Sequence, residues 1–181
     1  MYEVTPLLGP DATEPVVCRG LAGAGVVHIA SHGFKATNII GLPHQEGVWL
    51  ARSASDTSTI APHDGILQAW ELGSRVRTNA DLVVYSTCES GRSWWGAMAV
   101  SEFTRRTLLA GARAVLSAQW PISDEGTTPF MITFHTSLRA GAAKDEALRD
   151  AIAAQLTHPR FAHPFYWAGF RLTGDMEPLS R

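Results

Sequence analysis

Apolar residues in this chain fall into two kinds of run. Short continuous blocks at 26–31, 82–85 and 114–118 are bounded by glycine, aspartate or polar turn residues. Blocks of this length without alternation predict strands buried on both faces, as in parallel sheets. Longer stretches repeat with a helical period. Phe130, Met131, Phe134 and Leu138 share one face of a helix over 128–140, with Pro129 in its first turn and Gly141 beyond its end. Ala147, Leu148, Ala151, Ile152 and Leu156 do the same over 145–156. Further helices are expected from a cap at Asp11 or Thr13 to about Leu21, over 66–72, and over 97–110. A strand over 48–52 and a last one ending at Gly174 complete the set. Strands alternating with helices predict one α/β domain over residues 1–181, with a mostly parallel sheet.

Composition narrows the function classes. The chain has 181 residues, enough for one domain with a real core. Its 15 basic and 17 acidic residues nearly cancel and form no basic stripe, which argues against direct binding to nucleic acid. No apolar run reaches the length of a membrane span, and the first residues lack a basic-then-apolar leader, so no membrane partner is expected. Cys18 and Cys88 read as reduced thiols in a cytoplasmic compartment, with Cys18 a small helix residue. No cofactor is implied: Gly23-Ala24-Gly25 precedes a strand and opens no helix, so it is not a phosphate loop. His28 is expected to be a satisfied core histidine, and no metal site is expected from it or from the other histidines.

Candidate chemistry lies where two of the short blocks end. The block at 26–31 delivers His32 and then Gly33; the block at 82–85 leads through Ser86-Thr87 to Cys88. In open α/β sheets the reactive crevice lies beyond the carboxyl ends of the strands. A cysteine attacks as thiolate, so a nearby imidazole that can take its proton makes it a nucleophile. Backbone N–H groups at a glycine turn supply donors for a developing oxyanion, a role open to Gly33 and to the Cys88 amide. Each motif alone is more often structural; their conjunction points to a Cys–His dyad. A non-catalytic interaction module and a redox-sensing thiol are the alternatives.

Further motifs add a family resemblance. Val-His-Ile-Ala-Ser-His-Gly (27–33), His-Asp-Gly-Ile-Leu-Gln-Ala-Trp-Glu-Leu (63–72), Leu-Val-Val-Tyr-Ser-Thr-Cys-Glu-Ser-Gly (82–91), the 109–124 stretch through Gln-Trp-Pro, and Tyr-Trp-Ala-Gly-Phe-Arg-Leu-Thr-Gly-Asp (166–175) occur in order. Together they resemble the CHAT peptidases, caspase-like cysteine proteases. The resemblance implies a three-layer αβα caspase-like fold, with His32 as general base, Cys88 as nucleophile and Gly33 at the oxyanion hole. It implies cleavage of a protein or peptide substrate in a triggered pathway such as bacterial defence or cell death. It places Asp64 either in the primary specificity pocket or in a turn, names Glu89, Asp124 and Glu125 as other carboxylates near the mouth, and has the loop at Ala118–Trp120, with Gln119 and Trp120, pair with an extended substrate. Family domains begin with further strands well before the His-Gly strand. This chain therefore reads as a fragment of a longer protein, or as one whose sheet is completed by a partner chain, with a regulatory helical-repeat domain as a further partner.

Overall fold

The computed structural model describes residues 6–36, 45–52, 64–87 and 101–180. In chain order its elements are α1 (Glu14–Gly23), β1 (Val26–Ile29), β2 (Gly33–Ala36), β3 (Gln45–Trp49), β4 (Ile66–Gln68), β5 (Leu82–Tyr85), α2 (Glu102–Leu109), β6 (Ala114–Ala118), α3 (Asp124–Arg139), α4 (Lys144–Leu156) and β7 (Phe170–Gly174). A central sheet has the order β1-β5-β6-β7, parallel except for β7. A smaller antiparallel sheet, β2-β3-β4, follows the end of β1.

Alternation along the strands decides the layers. Val83, Tyr85 and Val115 turn to one face, where Leu21 of α1 and Phe103 of α2 close over them. Leu82, Val84 and Leu116 turn to the other, against Phe130 and Phe134 of α3 and Ala147 and Ala151 of α4. Both faces are therefore dry, which is why these strands read as unbroken apolar blocks. The Tyr85 hydroxyl, fully buried, is matched by Thr107 Oγ1 at 3.0 Å, and burial pushes its pKa up. The result is the three-layer arrangement expected, with a mostly parallel centre.

Several expectations need correction. Residues 66–72 are not a helix: Ile66–Gln68 pair with β3 in the register Trp49↔Ile66, Val48↔Leu67, and a tight turn follows. The apolar spacing there serves a strand and its turn, with Glu71 accepting from the Gln68 N–H at 2.9 Å. The strand expected over 48–52 lies at Gln45–Trp49, and β2 was not anticipated. The first block stops at Ile29, because the chain bends at Ser31. Helix α3 begins four residues early, at Asp124, so Pro129 sits inside it rather than in its first turn. The expected helix over 97–110 is seen as Glu102–Leu109, capped by Ser101 Oγ at the Thr104 N–H; residues 97–100 lie outside the described residues.

Buried carboxylates and a buried ammonium lock the periphery to this frame. Glu46 of β3 accepts from the Phe103 N–H at 3.1 Å, joining the small sheet to the first turn of α2, where the helix dipole favours a negative charge. Glu14 of α1 accepts from the Gly65 N–H ahead of β4. Lys144, with no exposed surface, donates to the Glu177 carbonyl at 2.6 Å, and its own N–H donates to Met176. Asp81 accepts from the Ser180 N–H at 2.8 Å and pairs with Arg113, which also reaches Asp175.

Contrary to the expectation of a core histidine, His28 stands on edge strand β1, facing α3, with part of its ring at the surface. Its Nε2 lies 2.8 Å from Ser86 Oγ and its Nδ1 3.1 Å from His135 Nε2, the two rings stacking at 5.1 Å. Desolvation of its nitrogens, then the neighbouring His135, lower its pKa from 6.5 to about 4, and burial lowers that of His135 as well.

Two outcomes are expected. Phe134→Ala removes a fully buried ring between α3 and the sheet and costs about 3–5 kcal/mol, read as a lower urea midpoint. Between pH 6.5 and 4 the unfolded chain binds a proton at residue 28 that the folded chain does not. The contribution of neutral His28 is thus complete above pH 6.5 and lost as pH falls towards 4. Urea midpoints measured from pH 7 to 4.5 should fall with pH, and His28→Asn should flatten that slope; an unchanged slope contradicts the assignment.

Candidate active site

The site is built on the seam between β1 and β5. These strands run parallel in the register Val27↔Val83, Ile29↔Tyr85, and the Ser86 N–H donates to the Ile29 carbonyl at 3.0 Å, carrying the pairing one residue further. Both strands consequently end at the same edge of the sheet. Beyond β1 the chain passes Ala30, bends at Ser31 and presents His32 at the surface. Beyond β5 it passes Ser86 and the buried Thr87. Cys88 and Glu89 come next in the sequence and lie outside the described residues, as do Trp94 and Trp95.

His32 is held by its backbone. Its carbonyl accepts from the Trp49 N–H at 2.9 Å, and Ser31 Oγ donates to the Trp49 carbonyl at 2.5 Å. The histidine is thus anchored to the last residue of β3, and Gly33 starts β2 opposite Val48. In an antiparallel ladder hydrogen-bonded and non-hydrogen-bonded pairs alternate. With His32 and Trp49 bonded, the next pair, Gly33 and Val48, is of the open type, and the Gly33 N–H turns away from β3. Its amide therefore lies outside the β2–β3 ladder.

The remaining predicted residues are dispersed. Asp64 Oδ1 accepts from the Ile66 N–H at 2.9 Å, and its Oδ2 lies 3.5 Å from Gln68 Nε2, so the carboxylate shapes the turn into β4. Of its two readings, the turn residue is the one this geometry favours. The Gln119 N–H donates to the Gly169 carbonyl at 2.8 Å, extending the ladder towards β7. A substrate strand would have to use other groups of that loop. The Gln119 side-chain Nε2 is buried without a hydrogen-bond partner. The Trp120 ring packs against Gly169, where a Cβ would come within 2.8 Å of it, and its indole N–H donates to the Phe165 carbonyl. Asp124 opens α3 in an exposed position, and Glu125 pairs with Arg160 at 2.6 Å.

Cys18 lies half-buried in α1, and burial first, then Glu14 and Glu71, push its thiol up to about 11, as suits a packing residue. Trp49, Ser86 and His135 were not singled out by the sequence. Trp49 gains its place from strand register, and His135 from a helix-to-strand contact between residues 107 apart, neither of which has a local signature. Among the described residues no group of three or more histidine, cysteine or acidic side chains could hold a metal ion, and no helix is long and apolar enough to cross a membrane.

Comparison with known proteins agrees with this architecture. Two curated relatives, both named tetratricopeptide repeat protein 28, are similar to the chain: that of Mus musculus is 29% identical and that of Homo sapiens 28%. Each alignment covers 94% of this chain but 8% of the relative, so the chain spans less than a tenth of those proteins. The CHAT domain matches residues 2–175. With nearly the whole chain covered, and a three-layer fold carrying its histidine at a strand end, this protein belongs to the CHAT-domain family of caspase-like fold.

Proposed function

We propose that this chain is a cysteine endopeptidase that cleaves a protein substrate through Cys88 and His32. The observation that carries the reading is the register of β1 and β5. Ile29 and Tyr85 are paired neighbours on parallel strands. His32 follows Ile29 by three residues (32 − 29) and Cys88 follows Tyr85 by three (88 − 85), an equal offset in sequence that supports bringing the two to one edge of the sheet. The exposed imidazole and the outward Gly33 amide support the same reading.

The chemistry then runs in two halves. His32 takes the Cys88 proton, and the thiolate attacks the scissile carbonyl while the Gly33 amide donates to the developing oxyanion. The C–N bond breaks, His32 returns the proton to the leaving amine, and a thioester remains on Cys88. Water, deprotonated by His32, hydrolyses that thioester and restores the thiol. Family membership and the names of the relatives support a setting in which helical repeats govern this activity, as a trigger or a docking frame for the substrate.

An electrophilic peptide probe tests the proposal. Covalent labelling should occur at Cys88 and vanish in Cys88→Ala. His32→Ala should lower kcat/KM by about 10²–10⁴-fold, the range of a lost general base. Labelling that persists in Cys88→Ala, or proceeds at full rate in His32→Ala, removes the dyad. A folded chain that neither labels nor cleaves is a non-catalytic caspase-fold interaction module instead.

A further inference from the structure

Trp49 is a large apolar side chain left half in water, 49% exposed, at the end of β3. A lone exposed aromatic is ordinary; its place in the ladder is not. The register Phe34↔Gly47, Gly33↔Val48 puts His32 opposite Trp49, and the hydrogen bond from the Trp49 N–H to the His32 carbonyl carries the ladder to that pair. Residues directly opposite in an antiparallel pair project from the same face, as close neighbours. Val48 points the other way, into the core, which fixes the Trp49 side chain outward. The register therefore puts Trp49 and His32 across from each other on one face of the small sheet. Ser31, gripping the Trp49 carbonyl, holds the two at fixed spacing.

The other exposed tryptophan of the small sheet has a different occupation. Trp70 donates its indole N–H to Gln68 Oε1 at 3.0 Å and lies under the Arg75 guanidinium at 4.5 Å. Trp49 is the tryptophan whose backbone is joined to the histidine.

We infer that Trp49 is a specificity-determining residue: it forms the apolar wall of the subsite that takes a bulky hydrophobic side chain just after the scissile bond. This rests on the Cys–His reading above. Its direction follows from the chemistry. The histidine hands its proton to the leaving amine, so the part of the substrate nearest the imidazole is the part beyond the bond that breaks. A wall next to the imidazole touches that side. An indole offers a large, rigid apolar surface with few rotamers to lose, which suits leucine, isoleucine, methionine or phenylalanine and gives nothing to glycine or serine.

Cleavage of a proteome-derived peptide library by the full chain tests this, with every product sequenced on both sides of the cut. Wild type should enrich bulky apolar residues at the first or second position after the cut. Trp49→Ala should lose that enrichment, with kcat/KM for such peptides falling about tenfold through KM, while glycine- and serine-bearing peptides change little. Trp49→Phe should keep most of the preference, and alkylation of Cys88 by iodoacetamide should proceed at the wild-type rate in both variants. An unchanged preference in Trp49→Ala, a loss of preference in Trp49→Phe equal to that in Trp49→Ala, or no apolar enrichment in wild type overturns the assignment and leaves the peptidase intact. Wild type that cuts nothing and whose Cys88 resists the electrophilic probe overturns the peptidase itself, and this subsite with it.

Discussion

The site proposed here depends on the parallel pairing of β1 with β5. That pairing is four residues long, from Val26↔Leu82 to Ile29↔Tyr85, and it ends with the Ser86 N–H on the Ile29 carbonyl. A slip of one residue would invert every side chain on β1, moving Ile29 out of the core and Val26 off the α3 side. Such a slip is resisted on both faces at once. Ile29 and Val27 are committed to the α1–α2 side, and Val26 and His28 to the α3 side, where His28 also touches Ser86 and His135. A catalytic pair needs placement to a fraction of an ångström, and a strand buried or engaged on both sides is a frame suited to it.

The small sheet is organised around the same point from the opposite direction. The chain leaves β1, turns at Ser31 and runs straight into β2, so that β3 and β4 hang from the residue that carries the imidazole. Glu46, one pleat behind Val48, ties this sheet to the N-terminal turn of α2. The helix that follows the cysteine segment in the chain and the sheet that follows the histidine are thus joined by one carboxylate.

Most of the frame could be read from the letters, because it is written in long-lived patterns. Leu82–Tyr85 and Ala114–Ala118 are unbroken apolar blocks, and the core face of α3 carries a clear helical period; on α4 Ala147 and Ala151 are buried as that pattern expects, but Leu156 is exposed and Lys144 and Gln155 are buried instead. The failures share a cause. At 66–72 three short-range features compete: a strand too brief to show alternation, an Asx turn at Asp64, and a turn closed by Glu71. The apolar positions fit a helix equally well, and only pairing with β3 decides. Pro129 suits a first turn, where a missing N–H costs nothing, yet α3 starts five residues before it. At the site, His32 and Gly33 stand out because a histidine and a glycine end an apolar block. Trp49 does not, since nothing local says which strand faces it.

The last few residues carry a message about where this unit stops. The family match ends at residue 175, yet Met176, Glu177 and Ser180 provide acceptors and donors to Lys144 and Asp81 deep in the body. Lys144 has no exposed surface, and without the Glu177 carbonyl its ammonium would be left with the Asp175 carboxylate at 4.0 Å as its nearest acidic partner. Cutting a recombinant domain at the homology border would strand a charge in the interior, so the cooperative folding unit is longer than the evolutionary one.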